Sequence, residues 1–202
     1  LLKIIWSSQF ILLNLQFANC KYFTQMPRFH NGMRPQDIVI LLKKVTLIGR
    51  EMTNAQVAKD LGISASEVSE ALERCRIARL MDNAKQRVNI LALKEFLIHG
   101  LKYVFPVQPQ SKVRGIATAI SASPMNEKIL SEKEAYVWPD AKGNLRGESI
   151  APLYRTVPMA VQNDSMLHSL LAIADVFRIG RTREVEIAKE ELDSILATYD
   201  VR

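Results

Sequence analysis

Apolar residues recur every three or four positions along much of the chain, a spacing typical of helices that bury one face. The first such stretch begins at Pro35, a residue well tolerated in the first turn of a helix, and continues to Leu47. Lys43 and Lys44 fall on the opposite side of this helix from its apolar residues. The pattern therefore predicts an amphipathic helix with these two lysines directed away from the core.

Capping signals mark the next two helices. Thr53 and Gln56 form a capping box, in which side chains bind unpaired backbone groups at a helix start, and a second box begins eleven residues later at Ser64. Gly62 lies between the boxes and is the residue best suited to the left-handed conformation that ends a helix. The predicted helices cover residues 54–61 and 64–79.

The residues expected inside this helix pair have volumes that suit a steep crossing. Ala58 is small where the helices come closest, Gly62 turns the chain, and Val68 fills the angle between them. The stretch AQVAKDLGISASEVSEALERCRIARLM resembles the helix-turn-helix of bacterial regulators of the MarR type. The resemblance implies a winged helix-turn-helix that binds double-stranded DNA, whereas an ordinary helical hairpin is the alternative interpretation.

A short hairpin is predicted directly after the third helix. Residues 80–81 and 88–90 are mostly apolar and flank a polar turn, whose tip contains Asn83, Lys85 and Arg87. The wing of a winged helix lies along the phosphate backbone or in the minor groove, where basic residues are well placed. A solvated surface turn without a ligand fits the same composition equally well.

The resemblance also implies which side chains would touch DNA, because the first turns of a recognition helix face the base edges. The candidates on the third helix are Ser64, Ala65, Ser66, Ser69, Glu70 and Arg74. The candidates for phosphate contacts are Arg50, Lys59, Lys85 and Arg87. Glu67, Glu70 and Glu73 place negative charge on the same helix, so we expect modest binding by a monomer and a need for dimerisation or for the basic wing.

The net charge of +6 favours an acidic partner, but half of that excess comes from residues 1–32, which contain three basic residues and no acid. Two cysteines, Cys20 and Cys75, are too few for a disulfide framework and suggest a reducing, cytoplasmic location. The three histidines have no metal-ligand spacing. We therefore expect no metal and no cofactor, and Cys75 as a small core residue.

Residues 1–32 form an apolar but interrupted stretch that is too short and too polar for a membrane span. They also match a secretory signal poorly, because no small-x-small cleavage site follows the apolar part. The interpretation we favour is a true start at Met33, or at Met26, with the preceding residues as an extension of the reading frame. We expect this leader to lie outside the fold and no membrane to be a partner.

The C-terminal half predicts a helix from Leu91 to His99 that ends at Gly100, followed by a short strand over 101–106. Residues 107–149 are rich in Pro, Gly and Ser and predict a loop with little regular structure. Trp138 within it is expected to anchor the loop on the core, with a ligand contact of Trp138 or Arg146 as the alternative.

Helical spacing returns after Ile150. One helix ends at Gly180, and Thr182 is expected to cap the last one. The apolar positions of that last helix alternate in spacings of three and four; they are Val185, Ala188, Leu192, Ile195 and Tyr199. Two heptads are short for a coiled coil, so packing within the subunit is favoured, and a homodimer built on this helix is the alternative.

Several C-terminal segments, HGLKYVFP, VWPD, RGESIAPLYRTVP and IGRTRE, resemble antitoxin regulators of the abortive-infection type. That resemblance implies an autoregulatory repressor with a toxin encoded by a neighbouring gene as a partner. The expected chain is α+β and mainly helical, with a leader at 1–32, a winged helix-turn-helix domain at 33–100, and a C-terminal domain at 101–202 that is loop-rich and then has two helices.

Two other classes of function are alternatives to DNA binding. The one candidate catalytic constellation is Ser165, His168 and Asp175, but it has neither a nucleophile elbow nor a glycine pair for an oxyanion site. We therefore expect no enzyme. A protein-protein interaction adaptor on a winged-helix scaffold is the second alternative, because the third helix is acidic.

Overall fold

A computed structural model describes residues 32–48, 52–129 and 135–200 of the chain. The fold is α+β and mainly helical with a small three-stranded sheet, which confirms the predicted fold class at this level. The expected leader lies outside the described residues except for Gly32, and so does Arg50. None of the described helices combines the length and the apolar character needed to cross a membrane.

The first three helices occur where they were predicted, α1 from Pro35 and its apolar spacing and the next two from capping signals. They are α1 (Pro35–Thr46), α2 (Asn54–Leu61) and α3 (Ala65–Ile77). At the start of α2, the backbone N–H of Gln56 donates to Thr53 Oγ1 at 3.3 Å and the N–H of Thr53 donates to Gln56 Oε1 at 2.8 Å. Gly62 then ends α2 with φ of 62°, in the left-handed region that favours glycine. Local backbone chemistry therefore sets the bounds of α2.

Helix α1 lies at the centre of the core instead of at its edge. Its residues from Gln36 to Lys43 are all buried, and Asp37 is 0% exposed. The prediction that Lys43 points away from the core is wrong, because its ammonium group is buried and ion-paired at 2.9 Å with both Asp60 and Asp164. These two carboxylates come from α2 and from the segment before a later helix, so the lysine is buried with its partners.

The hairpin predicted after α3 is present in a minimal form. Met81 and Val88 form a single antiparallel bridge, and the N–H of Asn89 donates to Leu80 O at 2.9 Å. The turn is closed by the N–H of Asp82, which donates to Arg87 O at 3.0 Å. Two strands of any length are not formed at this position.

The helix that follows does not end at Gly100. Helix α4 (Ile90–Glu95), a π-helical turn (Phe96–Gly100) and α5 (Leu101–Val104) follow one another without a break. The predicted strand at 101–106 is therefore wrong, because Leu93, Leu97 and Leu101 form a buried face at spacings of four that continues across the glycine. The boundary expected between residues 100 and 101 falls inside this helical stretch.

A closed three-stranded sheet replaces the loop predicted for residues 107–149. Strand β1 pairs antiparallel with both other strands, which pair parallel with each other. A Cβ added to Gly115 would lie 2.0 Å from Trp138 O, and one added to Gly147 would lie 2.0 Å from Ala135 O. Glycine is thus needed where the strands approach most closely, although its presence indicated a loop. The elements are β1 (Gln110–Ala117), α6 (Met125–Lys128), β2 (Tyr136–Pro139) and β3 (Leu145–Ser149).

The C-terminal elements complete the core. They are α7 (Val157–Ala160), α8 (Ser165–Ile179) and α9 (Thr182–Asp200). Helix α8 is buried from Leu170 to Phe177 and packs against α1, and Gly180 ends it as predicted. Thr182 is the first residue of α9, so the expected cap position is one residue off; the N–H of Arg181 donates to Glu184 instead.

The last helix packs within the subunit as predicted, since Ala188 and Leu192 are fully buried. Trp138 is confirmed as an anchor: it is 1% exposed, and its Nε1–H donates to Asp175 on α8 at 2.7 Å. Arg146 lies on the exposed side of β3. The core extends without interruption through both halves of the described chain.

Candidate nucleic-acid interface

The outer face of α3 collects most of the residues that the sequence predicts to contact base edges. Its inner face packs on α1 and α2 through Val68, Ala71 and Leu72, which are buried. Since the helix is held on that side, its other side faces solvent. The exposed predicted residues at its N-terminal end are Ser64, Ala65, Ser66, Ser69 and Glu70.

Arg74 is the exception among the predicted base contacts, and its assignment is corrected. Its guanidinium binds Asp37 through two parallel hydrogen bonds, Nε to Oδ2 at 2.9 Å and Nη2 to Oδ1 at 2.7 Å. Arg74 is 8% exposed and Asp37 is 0% exposed. The hydrogen bond to Asp37 raises the pKa of Arg74, so its guanidinium stays charged. This arginine therefore orients α3 on α1 and does not extend from the surface.

Glu67 connects the same two helices at their N-terminal ends. Its Oε1 accepts hydrogen bonds from Gln36 Nε2 and, at 3.1 Å, from Arg34 Nη1. The backbone N–H of Glu67 donates to Ser64 Oγ at 3.2 Å, so half of the predicted second capping box is formed. The side chain of Glu67 binds α1 instead of completing the box, and Arg34 offsets its charge.

Glu73 is held between α3 and the hairpin. Arg76 donates to it through two hydrogen bonds, at 2.7 and 3.1 Å, and Lys85 Nζ lies 2.6 Å from its Oε2. The hydrogen bond from Arg76, followed by that from Lys85, lowers the pKa of Glu73 to about 2. The acidic character that the sequence places on α3 is thus compensated at Glu73 by two cations.

Glu70 is the acid on this helix that stays largely exposed. Its side chain is 66% exposed, and its Oε2 lies 3.8 Å from Arg74 Nη1, beyond hydrogen-bonding distance. Among the predicted phosphate contacts, Lys59 and Arg87 are exposed, whereas Lys85 is half-buried against Glu73. The surface therefore combines small hydroxyl side chains, one exposed carboxylate and flanking basic groups.

The turn between α2 and α3 is covered by the segment from Thr156 to Met159, which the sequence did not predict to lie there. Thr156 Oγ1 donates to Leu61 O at 2.6 Å, and a Cβ added to Gly62 would lie 2.5 Å from Met159 Cε. The segment contributes a cap for an unpaired carbonyl at the end of α2. No signal in the sequence links residues almost a hundred positions apart.

The candidate catalytic residues Ser165, His168 and Asp175 do not form a hydrogen-bonded triad, because His168 and Asp175 bind other groups. His168 Nε2 hydrogen-bonds Ala117 O at 2.8 Å. Both carboxylate oxygens of Asp175 are occupied by other side chains: Oδ2 accepts from Thr118 and Trp138, and Oδ1 accepts from Arg178. Burial raises the pKa of Asp175, and Arg178 opposes that effect.

Cys75 is 0% exposed, and burial raises the pKa of its thiol well above the ordinary range, as expected for a core residue. In the described part of the chain, no group of three or more His, Cys, Asp or Glu side chains is placed to hold a metal ion. Comparisons with protein-family models, with curated proteins and with solved structures found no match. The resemblance to MarR-type and antitoxin regulators thus stays a prediction from the motifs.

Proposed function

We propose that the chain is a DNA-binding transcriptional regulator in which α2, the turn at Gly62 and α3 form the helix-turn-helix of a winged domain. The observation that carries the proposal is the exposed N-terminal face of α3, which presents the small polar side chains of Ser64, Ser66 and Ser69. The inner face of the same helix is bound to α1 through the hydrogen bonds between Arg74 and Asp37. A rigidly held helix with an accessible first turn is what major-groove reading requires.

The dimensions of α3 suit this role. With 13 residues, the helix is about 20 Å long, and an α-helix fits the major groove of B-DNA. Ser66 and Ser69 can each donate to or accept from base edges, and Glu70 can accept a hydrogen bond from cytosine N4. Glu70 would also repel nearby phosphates. The proposal therefore favours DNA sequences in which a base-edge donor, such as cytosine N4, lies opposite this carboxylate.

The hairpin supports a role along the phosphate backbone. The ion pair between Lys85 and Glu73 holds the hairpin against α3, and Arg87 is exposed beside it. Lys59 on α2 is also exposed. In the proposal, Arg87 and Lys59 bind phosphates, while Lys85 mainly neutralises Glu73 and sets the position of the hairpin.

The biological role proposed is that of a cytoplasmic, autoregulatory repressor of the antitoxin type, with a toxin from a neighbouring gene as its partner. It rests on the resemblance of the C-terminal segments. A regulator of this kind binds the promoter of its own operon, which makes that promoter the natural test sequence.

The test is fluorescence anisotropy of the full chain with promoter DNA from upstream of its own gene and with scrambled DNA, across a salt series. We expect promoter-preferring binding that weakens steeply with salt. The variant Ser66→Glu with Ser69→Glu should lower promoter affinity at least about tenfold, because two carboxylates would face the groove. The matched control is Ser194→Glu with Ala197→Glu, which adds the same charge at the same spacing on exposed positions of α9.

Equal effects of the two double variants, or no binding of the unmodified chain to either DNA at low salt, would refute the proposal. The second candidate function, a protein-binding adaptor, would then be favoured. The exposure of Glu70 at 66% and of Ile77 at 43% on the same helix supports that candidate. Charge reversal of Lys59 and Arg87 separates the two, since both are proposed phosphate contacts outside α3. It should weaken DNA binding and leave an adaptor that uses α3 unaffected.

A further inference from the structure

Two arginines lie directly opposite each other on the sheet. Arg114 on β1 and Arg146 on β3 are register partners in the antiparallel ladder, and both are exposed. Directly opposed residues point to the same face of a sheet, with Cβ atoms about 5 Å apart. Like charges in this arrangement repel each other and lower the stability of the ladder. The pair therefore has a physical cost in the absence of a ligand.

Within the described residues, no carboxylate forms an ion pair with either arginine. No carboxylate oxygen there lies within 4 Å of either guanidinium group. The pair two positions along the ladder from the arginines is different, because Lys112 lies opposite Glu148 and the two charges balance. Asp140 lies near Arg114, since its N–H donates to Arg114 O at 3.2 Å. Its Oδ1 accepts the N–H of Lys142 at 2.7 Å, so this carboxylate closes the turn after β2.

The backbone beneath the arginines is closely packed. Gly115 and Gly147, which directly follow Arg114 and Arg146, lie where the strands approach most closely, and Trp138 on β2 is anchored to α8 by its hydrogen bond to Asp175. Lys142 is exposed in the turn after β2 and adds a third cation. The ladder thus holds the Cα atoms of the two arginines opposite each other on one face, and guanidinium groups bind phosphate oxygens through paired hydrogen bonds.

We propose that Arg114 and Arg146 form a second nucleic-acid contact, which binds the phosphate backbone of duplex DNA without reading its sequence. Guanidinium groups bind phosphate bidentately, and backbone contacts contribute affinity and salt dependence but no sequence preference. The bound phosphate relieves the repulsion between the arginines. This surface is separate from α3, and its binding does not require that α3 reads DNA.

The experiment compares Arg114→Gln with Arg146→Gln against a control of equal net charge, Lys102→Gln with Arg183→Gln, whose positions are exposed elsewhere. Binding of the full chain to a random-sequence duplex is measured across a salt series. The arginine variant should bind roughly tenfold or more weakly at 0.1 M salt, and the slope of log Kobs against log salt should fall by about 1.8 for two lost contacts. Its melting temperature should be unchanged or higher, because the like-charge repulsion is removed.

Equal random-duplex affinities of the arginine variant and the control would overturn the proposal, as would a lack of random-duplex binding by the unmodified chain. Binding of the same variants to vesicles of phosphatidylserine and phosphatidylcholine is measured as well. If the arginine variant lost vesicle binding and kept duplex binding, the surface would be a membrane contact and the proposal would be wrong.

The same measurements distinguish this proposal from the function proposed for α3. Loss of the sheet arginines should lower the affinities for promoter and scrambled DNA by the same factor and leave their ratio unchanged. The α3 variant should reduce that ratio. A chain without promoter preference but with arginine-dependent duplex binding would refute the α3 proposal and support the one for the sheet.

Discussion

Removing the carboxylate of Asp37 should destabilise the protein more than most single substitutions. The Asp37→Ala variant would remove the carboxylate that binds the guanidinium of Arg74, whose side chain is 10% exposed, and would leave it with the carboxylates of Glu67 and Glu70 at 3.8 Å. Removing one partner of a buried ion pair typically costs about 3–5 kcal/mol. Asp37 also accepts the backbone N–H of Arg34 at 2.9 Å, and the loss of a helix cap adds about 1 kcal/mol.

This loss is a large part of the 5–15 kcal/mol that typically stabilises a domain. At about 2–4 °C per kcal/mol for a chain of this size, the melting temperature should fall by roughly 10 °C or more. Urea unfolding followed by circular dichroism gives the free energy of unfolding, and an unchanged m value identifies a stability effect.

The matched comparison is the double variant Asp37→Leu with Arg74→Met, which replaces the ion pair by apolar side chains of similar size. Because the desolvation cost of both charges is removed, this variant should lose only the helix cap that Asp37 provides, which is about 1 kcal/mol. If Asp37→Ala lowered the free energy of unfolding by less than about 1 kcal/mol, the pair would not be the buried anchor of α3 that its geometry indicates.

Three further predictions test other elements. Gly62→Ala should destabilise by about 1 kcal/mol or more in urea unfolding, because its φ of 62° is strained for alanine; a neutral effect would contradict the tight turn. Glu73 has a lowered pKa of about 2, so its ion pairs stabilise the fold above its ordinary value of 4.5 and are lost as the pH falls towards about 2. Carboxyl NMR titration should show that Lys85→Gln raises this pKa. Trp138→Phe should cost about 1–3 kcal/mol, since the buried Asp175 loses a donor; unfolding at the unmodified urea midpoint would argue against that bond.

The turn between α2 and α3 was predictable because its causes are local. Thr53, Gln56 and Gly62 act on backbone groups within four residues, so their types alone specify where α2 begins and ends. The exposed hydroxyl residues at the start of α3 follow from the same capping signal. This part of the candidate site could be located without knowledge of the tertiary structure.

Arg74 shows where such reasoning fails for the site. On an isolated helix it belongs to the same surface as Glu70, four residues earlier, and the sequence offers no sign that Asp37 receives it. The partner is 37 residues away, and only the packing of α3 on α1 brings the two together. Lys43 and its carboxylate partner Asp164 repeat this pattern over 121 residues.

Hydrophobic spacing and capping act within a turn or two of the chain, so α1 to α3 and the caps at Thr53, Gly62 and Ser64 follow from the sequence alone. The position of Gly100 inside a helix, the closing of a sheet at Gly115 and Gly147, and the burial of Lys43 and Arg74 follow only from tertiary packing. A glycine away from a capped helix end tolerates helix and strand alike, and a charged side chain has no local signal for burial. Its conformation and burial depend on the distant groups that fill the space beside it or neutralise it.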